Sequence, residues 1–233
     1  MNQRTPAQAF ADAASALVKS SDVTDTLSRL LRDCCALLDA EALGVLVEAP
    51  DGNLELLSAS SHKTAALEVF QIQHEHGPCI DTIATGQPVV AVGAQEVAGA
   101  WPDVGTRILD AGFHAVHAFP MRCNGRIIGG LNLFHADARM LDDEQTMLGQ
   151  AFADVATLVI VQSTDLSTGQ ITARVKQALD GRTVIEQAKG VVAHVHGLGM
   201  AEAYDFLLRL ADEDGADLTS IARNTLSSTR HRR

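Results

Sequence analysis

Hydrophobic positions recur at three- and four-residue steps over 7–19 and 23–39. In the second window Leu27, Leu30, Leu31, Cys34, Leu37 and Leu38 share one face, so two amphipathic helices are predicted. Then the period changes. EALGVLVEAP (41–50) and LELLSAS (54–60) read as strands, and DGN (51–53) between them as a tight turn, which predicts a hairpin. A short helix over 63–73 leads to Gly77-Pro78, which opens another; Gly86 closes it, and PVVA (88–91) begins a strand. After Trp101-Pro102 a further helix is predicted over 104–112. HAVHAFPMRCNGRIIGGLNLFHAD (114–137) forms a second hairpin about Asn124-Gly125, the dipeptide that type I′ turns favour. Asp142 then starts a long helix reaching about Gln162. Hairpins demand antiparallel pairing, so residues 1–165 predict an α+β domain with helices packed on one antiparallel sheet.

LSTGQ (166–170) marks a boundary, with Ser167 and Gln170 at the spacing of a capping box. Beyond it the apolar positions Ile171, Val175, Ala178, Leu179, Ile185, Ala188 and Val192 keep a helical period until His196-Gly197 ends the run. Two shorter helices are predicted over 200–212 and 218–227, the latter capped by Asp217. Residues 166–233 thus form an all-α module of three helices. A module this small buries little surface alone, so packing against another chain is expected. The long helices 142–162 and 171–192 are candidates for a homodimer seam; alternatively each is the amphipathic edge of its own domain.

Composition narrows the class. With 46% hydrophobic and 20% charged residues the chain is that of a water-soluble globular protein, and no apolar run approaches a membrane span. The N-terminus lacks a basic region followed by an apolar block, and Cys34, Cys35, Cys79 and Cys123 show neither CxxC nor an even framework. Reduced thiols in the cytoplasm are expected. The net charge of −11 is unevenly spread. Residues 1–165 carry 9 Lys and Arg against 21 Asp and Glu, whereas residues 166–233 carry 9 against 8. A phosphate-bearing partner is therefore open only to the C-terminal module, and not through bulk attraction.

Candidate chemistry is sparse. There is no GxSxG, phosphate-binding loop or HExxH, so no enzyme is expected. His74-x-His76-x-x-Cys79 has the spacing of half a metal site but no second ligand pair nearby, and a structural role is expected instead. His114, His117 and His135 lie on or beside strands, where a haem ligand could sit but a hydrogen-bonded histidine is the simpler outcome; no cofactor is expected. Cys79 at a helix start could sense redox state, or simply fill the core. On the helix after Gln170, Arg182, Lys189 and His196 are seven apart and point one way, with Arg209 and Arg223 able to join from the following helices.

VIEQAKGVVAHVHGLGMAEAYDFLLRLADEDGADLTSIA (184–222) resembles the signature of an ANTAR domain, the RNA-binding three-helix module of bacterial transcription antiterminators. The likeness rests on Val184–Gly190, His196-Gly197, Glu202–Tyr204, Leu208-Arg209, Ala211 and Leu218–Ala222. HGPCIDTIATGQPV (76–89), Trp101-Pro102 and AVHAFPMRCNGRIIGGLNLF (115–134) resemble a GAF sensor domain of the actinobacterial type that precedes ANTAR.

The resemblance implies a regulator whose C-terminal module binds hairpin RNA in nascent transcripts through Arg182, Lys189, His196, Arg209 and Arg223, with Lys189 outside the core as a phosphate contact. It also implies a GAF pocket near Cys79, Trp101, His114 and His117 for an unknown small molecule or partner protein, with no membrane partner. This sequence departs from the family at Val195 and at acidic positions 205, 212, 213, 214 and 217. Like charges there oppose phosphate, which implies weak binding, or binding only by a dimer presenting two faces. The competing expectation is a dimeric interaction protein or small-molecule sensor that binds no RNA.

Overall fold

The antiparallel pairing that the two hairpins require organises the first two thirds of the chain. The computed structural model describes residues 4–18, 22–161 and 168–230. Helices α1 (Pro6–Val18) and α2 (Val23–Leu38) come first, and the Asp22 carboxylate accepts the Asp25 N–H at the start of α2. Strands β1 (Ala42–Glu48), β2 (Leu54–Ala59), β3 (Val89–Val92), β4 (Ala115–Cys123) and β5 (Arg126–His135) form one sheet in the order β2-β1-β5-β4-β3, every neighbour antiparallel. The β4–β5 turn places both Asn124 (φ 50°) and Gly125 (φ 77°) at positive φ, as a type I′ turn needs.

Both faces of the sheet are covered, which is why β1 and β4 are apolar along nearly their whole length instead of alternating. On one face α1, α2 and α7 (Asp143–Val161) bring Leu27, Leu31, Phe152 and Ala156 against Leu43, Val45, Phe119 and Leu131. On the other lie α3 (His62–His74), α4 (Pro78–Thr85), α5 (Ala94–Ala100) and α6 (Pro102–Asp110), where Leu67, Val97, Trp101 and Ile108 meet Ala42, Val116 and Phe134. The short α5 is an element the periodicity does not announce. Buried Val97 anchors it, and the Glu96 carboxylate reaches back to accept the Val92 N–H.

Helices α8 (Thr168–His196), α9 (Met200–Asp214) and α10 (Leu218–Arg230) complete the chain. Ile185, Ala188 and Val192 of α8 pack with Ala203, Leu207, Leu218 and Ile221 into a separate core. Asp217 caps α10 as expected, its carboxylate accepting the Ser220 N–H at 2.8 Å. Much of the 166–170 boundary lies outside the described residues, including Ser167 of the proposed capping box and the side chain of Gln170. The first half of α8 belongs elsewhere, because Val175, Ala178 and Leu179 join the core beneath the sheet. One helix of 29 residues, about 43 Å long, thus contributes to two cores.

A buried polar network lies between the sheet and α3. Asn132 donates to Glu68 Oε1 at 2.8 Å, Gln71 donates to Glu68 Oε2 at 3.0 Å, and the Cys79 N–H donates to Gln71 Oε1. Glycines make the room: a Cβ at Gly44 would collide with the Glu68 carboxyl, and one at Gly77 with the Gln71 amide. Burial pushes the Glu68 carboxyl from the ordinary 4.5 up to about 8, against the Asn132 hydrogen bond that favours ionisation. The folded chain therefore keeps a proton that the unfolded chain releases above pH 4.5, and this group's stabilisation declines as pH rises toward 8. Glu68→Gln, of the same shape and always neutral, should gain on the wild type by on the order of a few kcal/mol between pH 4.5 and pH 8 in denaturant melts, on top of a constant loss from the acceptor its NH2 replaces. A difference that stays constant with pH would overturn the assignment.

Candidate nucleic-acid interface

The basic stripe on α8 divides between two environments. Lys189 does not stay outside the core as expected: it is only 4% exposed. Its Nζ lies 2.6 Å from Glu186 Oε2, one turn back on the same helix, and 5.9 Å from the centre of the Tyr204 ring. The cause is tertiary. The flank of α8 left outside its own three-helix core is covered by β2, over a hundred residues away in sequence, with the start of α3 lining the cleft beside it. An ammonium buried without a counter-charge would cost several kcal/mol, so the Glu186 carboxylate is what makes this placement tolerable.

Arg182, half-buried, opens into the same place. Together the two cations line a cleft of about 140 Å³, opposite Thr24 and Ser28 of α2, Ser58 of β2 and Ser61 at the start of α3. Asp205 also borders the cleft, so its charge is balanced.

The remaining stripe residues face water. His196 is exposed at the end of α8, its ring 4.9 Å from that of Phe206, and exposed Arg209 places its guanidinium 5.8 Å from the same ring. Phe206 is thus flanked by an imidazole and a guanidinium at the solvent edge of α9. Sequence reasoning did not single it out, although its three-residue spacing to Arg209 on one helix was a usable signal. Arg223 is exposed on α10. Of the acidic departures, Asp212, Glu213 and Asp214 are exposed at the end of α9, while Asp217 is engaged as the α10 cap.

The four GAF-pocket residues do not converge. Cys79 is buried beneath α4 with Leu46 and Leu56, and burial, then the neighbouring Glu68, pushes its thiol well above the usual range, which leaves it a packed thiol and a poor nucleophile. Trp101 is buried on the same face, and its indole N–H donates to Asp81 at 2.7 Å. His117 lies on the opposite face, edge-on to His135; burial lowers it to about 4, so it is neutral near pH 7, sharing a hydrogen bond with the Arg139 carbonyl. His114 is exposed at the strand end, hydrogen-bonded to the Ala136 carbonyl. His74 stacks on Phe70, apart from buried Cys79, and among the described residues no three His, Cys, Asp or Glu side chains are grouped to hold a metal ion. Among the same residues, no helix is long and apolar enough to cross a membrane.

Comparison with known proteins agrees with this division. The ANTAR domain family matches residues 173–225, and the GAF domain family matches residues 22–160, more than half of the chain. No curated protein matches. Among solved structures, the phycocyanobilin-bound GAF domain of a cyanobacterial phytochrome is similar, with TM-score 0.54 and 13% identity over 70% of this chain and 97% of that one. The GAF domain of an Acinetobacter phosphoenolpyruvate-protein phosphotransferase gives 0.51 and 7% identity over 77% and 97%, and its Coxiella burnetii counterpart gives 0.51 and 14% over 66% and 92%. At these identities the likeness establishes the GAF fold of the part of the chain it covers and nothing about a ligand. The chain belongs to the GAF family and is a regulatory protein that joins a GAF domain to a C-terminal ANTAR domain.

Proposed function

We propose that the ANTAR domain binds hairpin RNA in nascent transcripts and opposes termination, under control of the GAF domain. The observation that carries this reading is the grouping of exposed His196 and Arg209 about half-buried Phe206. An aromatic face beside a guanidinium suits an unstacked loop base, and the cations suit the phosphates on either side. Arg223 extends the basic surface, and Arg182 and Lys189 would add to it once uncovered. The acidic end of α9 limits affinity and favours two domains acting together.

A homodimer is part of the same reading. Met147 (69% exposed) and Leu158 (42%) lie eleven residues apart on α7 and so share its outer face, on either side of exposed Asp154, on the helix proposed as a seam.

A small molecule entering between the sheet and α3 would have to displace the Glu68–Gln71 pair, and α3 begins at the cleft that holds Lys189. That continuity supports the GAF domain as the controlling element.

Two outcomes are expected. In gel shifts with a pool of hairpin RNAs bearing randomised loops, affinity should fall with salt at a log–log slope of about −3, as for roughly three phosphate contacts, and Arg209→Glu should weaken it about tenfold or more. Salt-independent binding, or none, would favour an interaction protein that binds no RNA. In sedimentation experiments Met147→Glu with Leu158→Glu should convert a dimer to monomers without changing the circular dichroism spectrum; an unaltered dimer would exclude α7 as the seam.

A further inference from the structure

We propose that the GAF domain is an intramolecular inhibitor, holding the Lys189 face of the ANTAR domain shut until α8 bends at Gly181. The inference rests on the RNA-binding reading and adds to it how binding is withheld. The covering contact is built from specific polar pairs. Thr219 at the start of α10 donates to Asp22 at 3.2 Å, and Tyr204 faces Ser28 in the cleft. Asp25 is buried beside the same helix start: burial raises its carboxyl, while Arg29 and, more weakly, the Leu218 backbone hold it down. Two carboxylates of the acidic domain thus meet the positive end of the α10 dipole, an arrangement that an approaching phosphate would have to replace.

The contact also has a built-in place to open. Val175, Ala178 and Leu179 of α8 are fixed in the GAF core, and Ile185, Ala188 and Val192 in the ANTAR core. Gly181 stands between them, the residue type that weakens a helix interior. It is also a point of close approach between α8 and α2, since a Cβ at this position would collide with Thr24. Bending there carries α9 and α10 away from α2 without disturbing either core. The cleft of about 140 Å³ leaves this part of the contact unfilled, with room for the two surfaces to part.

The test uses the full chain, amine acylation read residue by residue, and the same randomised hairpin pool. In the wild type, Lys189 should react at least about tenfold more slowly than Lys176, whose side chain is 62% exposed against 5% for Lys189. Ser28→Trp, which puts bulk into the cleft from the GAF side, should raise Lys189 reactivity toward that of Lys176 and tighten RNA binding about tenfold. Thr219→Val, nearly isosteric, removes only the bond to Asp22 and should move both readouts the same way by a smaller factor, which guards against a misfolded tryptophan variant. Equal reactivity of the two lysines in the wild type overturns the proposal, as does unchanged RNA affinity once Lys189 has become reactive. If Lys189 is released and no form of the chain binds RNA, the RNA reading falls and the inhibitory role falls with it.

Discussion

The placement of α8 in two cores is the constraint on which the rest of the arrangement depends. Its first half closes the apolar layer beneath the sheet with Val175, Ala178 and Leu179, and its second half supplies Ile185, Ala188 and Val192 to the three-helix bundle. A helix anchored at both ends fixes the azimuth of every residue between and beyond them. Given that anchoring, Lys189 must face β2 and α3, and His196, two turns on, emerges at the free end. The surface pair of Lys176 and Asp180 on this helix, both side chains over 60% exposed, contributes only about 0.3–0.5 kcal/mol and does not decide the geometry.

Charge distribution gives the same division a function. The excess acid of the first 165 residues would repel a polyphosphate, yet part of it, Asp22 and Asp25, sits at the start of α10 in the ANTAR domain. On the proposed reading, one acidic surface serves two ends, keeping nucleic acid away from the GAF domain and occupying the start of α10. Burying Lys189 is compatible with this only because Glu186 accompanies it into the cleft.

The interior of the GAF domain shows a related economy. The space between the sheet and α3 is filled by Glu68, Gln71 and Asn132 over the glycines 44 and 77. Hydrogen-bonded to one another, these buried polar side chains specify one arrangement of α3 on the sheet. The glycines at 129 and 130 belong to the same packing and not to the hairpin turn: one lets the β1 backbone approach, the other admits Cys79 and Thr82 of α4.

Local periodicity and turn chemistry carried most of the architecture. Strands 41–50 and 54–60, the Asn124-Gly125 hairpin, the Gly77-Pro78 helix start and the Asp217 cap all follow from rules acting over a few residues, and the α+β class follows from the hairpins. Only α5 escaped, because its seven residues are too short to show a period. The basic stripe was likewise legible, since a seven-residue spacing on a helix fixes relative direction. Absolute direction is a different matter. Whether Lys189 meets water or β2, whether His117 shares a face with Cys79, and whether Phe206 lies between two cations all depend on how distant segments pack. That information is held in contacts across the chain, which the spacing of residues within one helix or strand cannot encode.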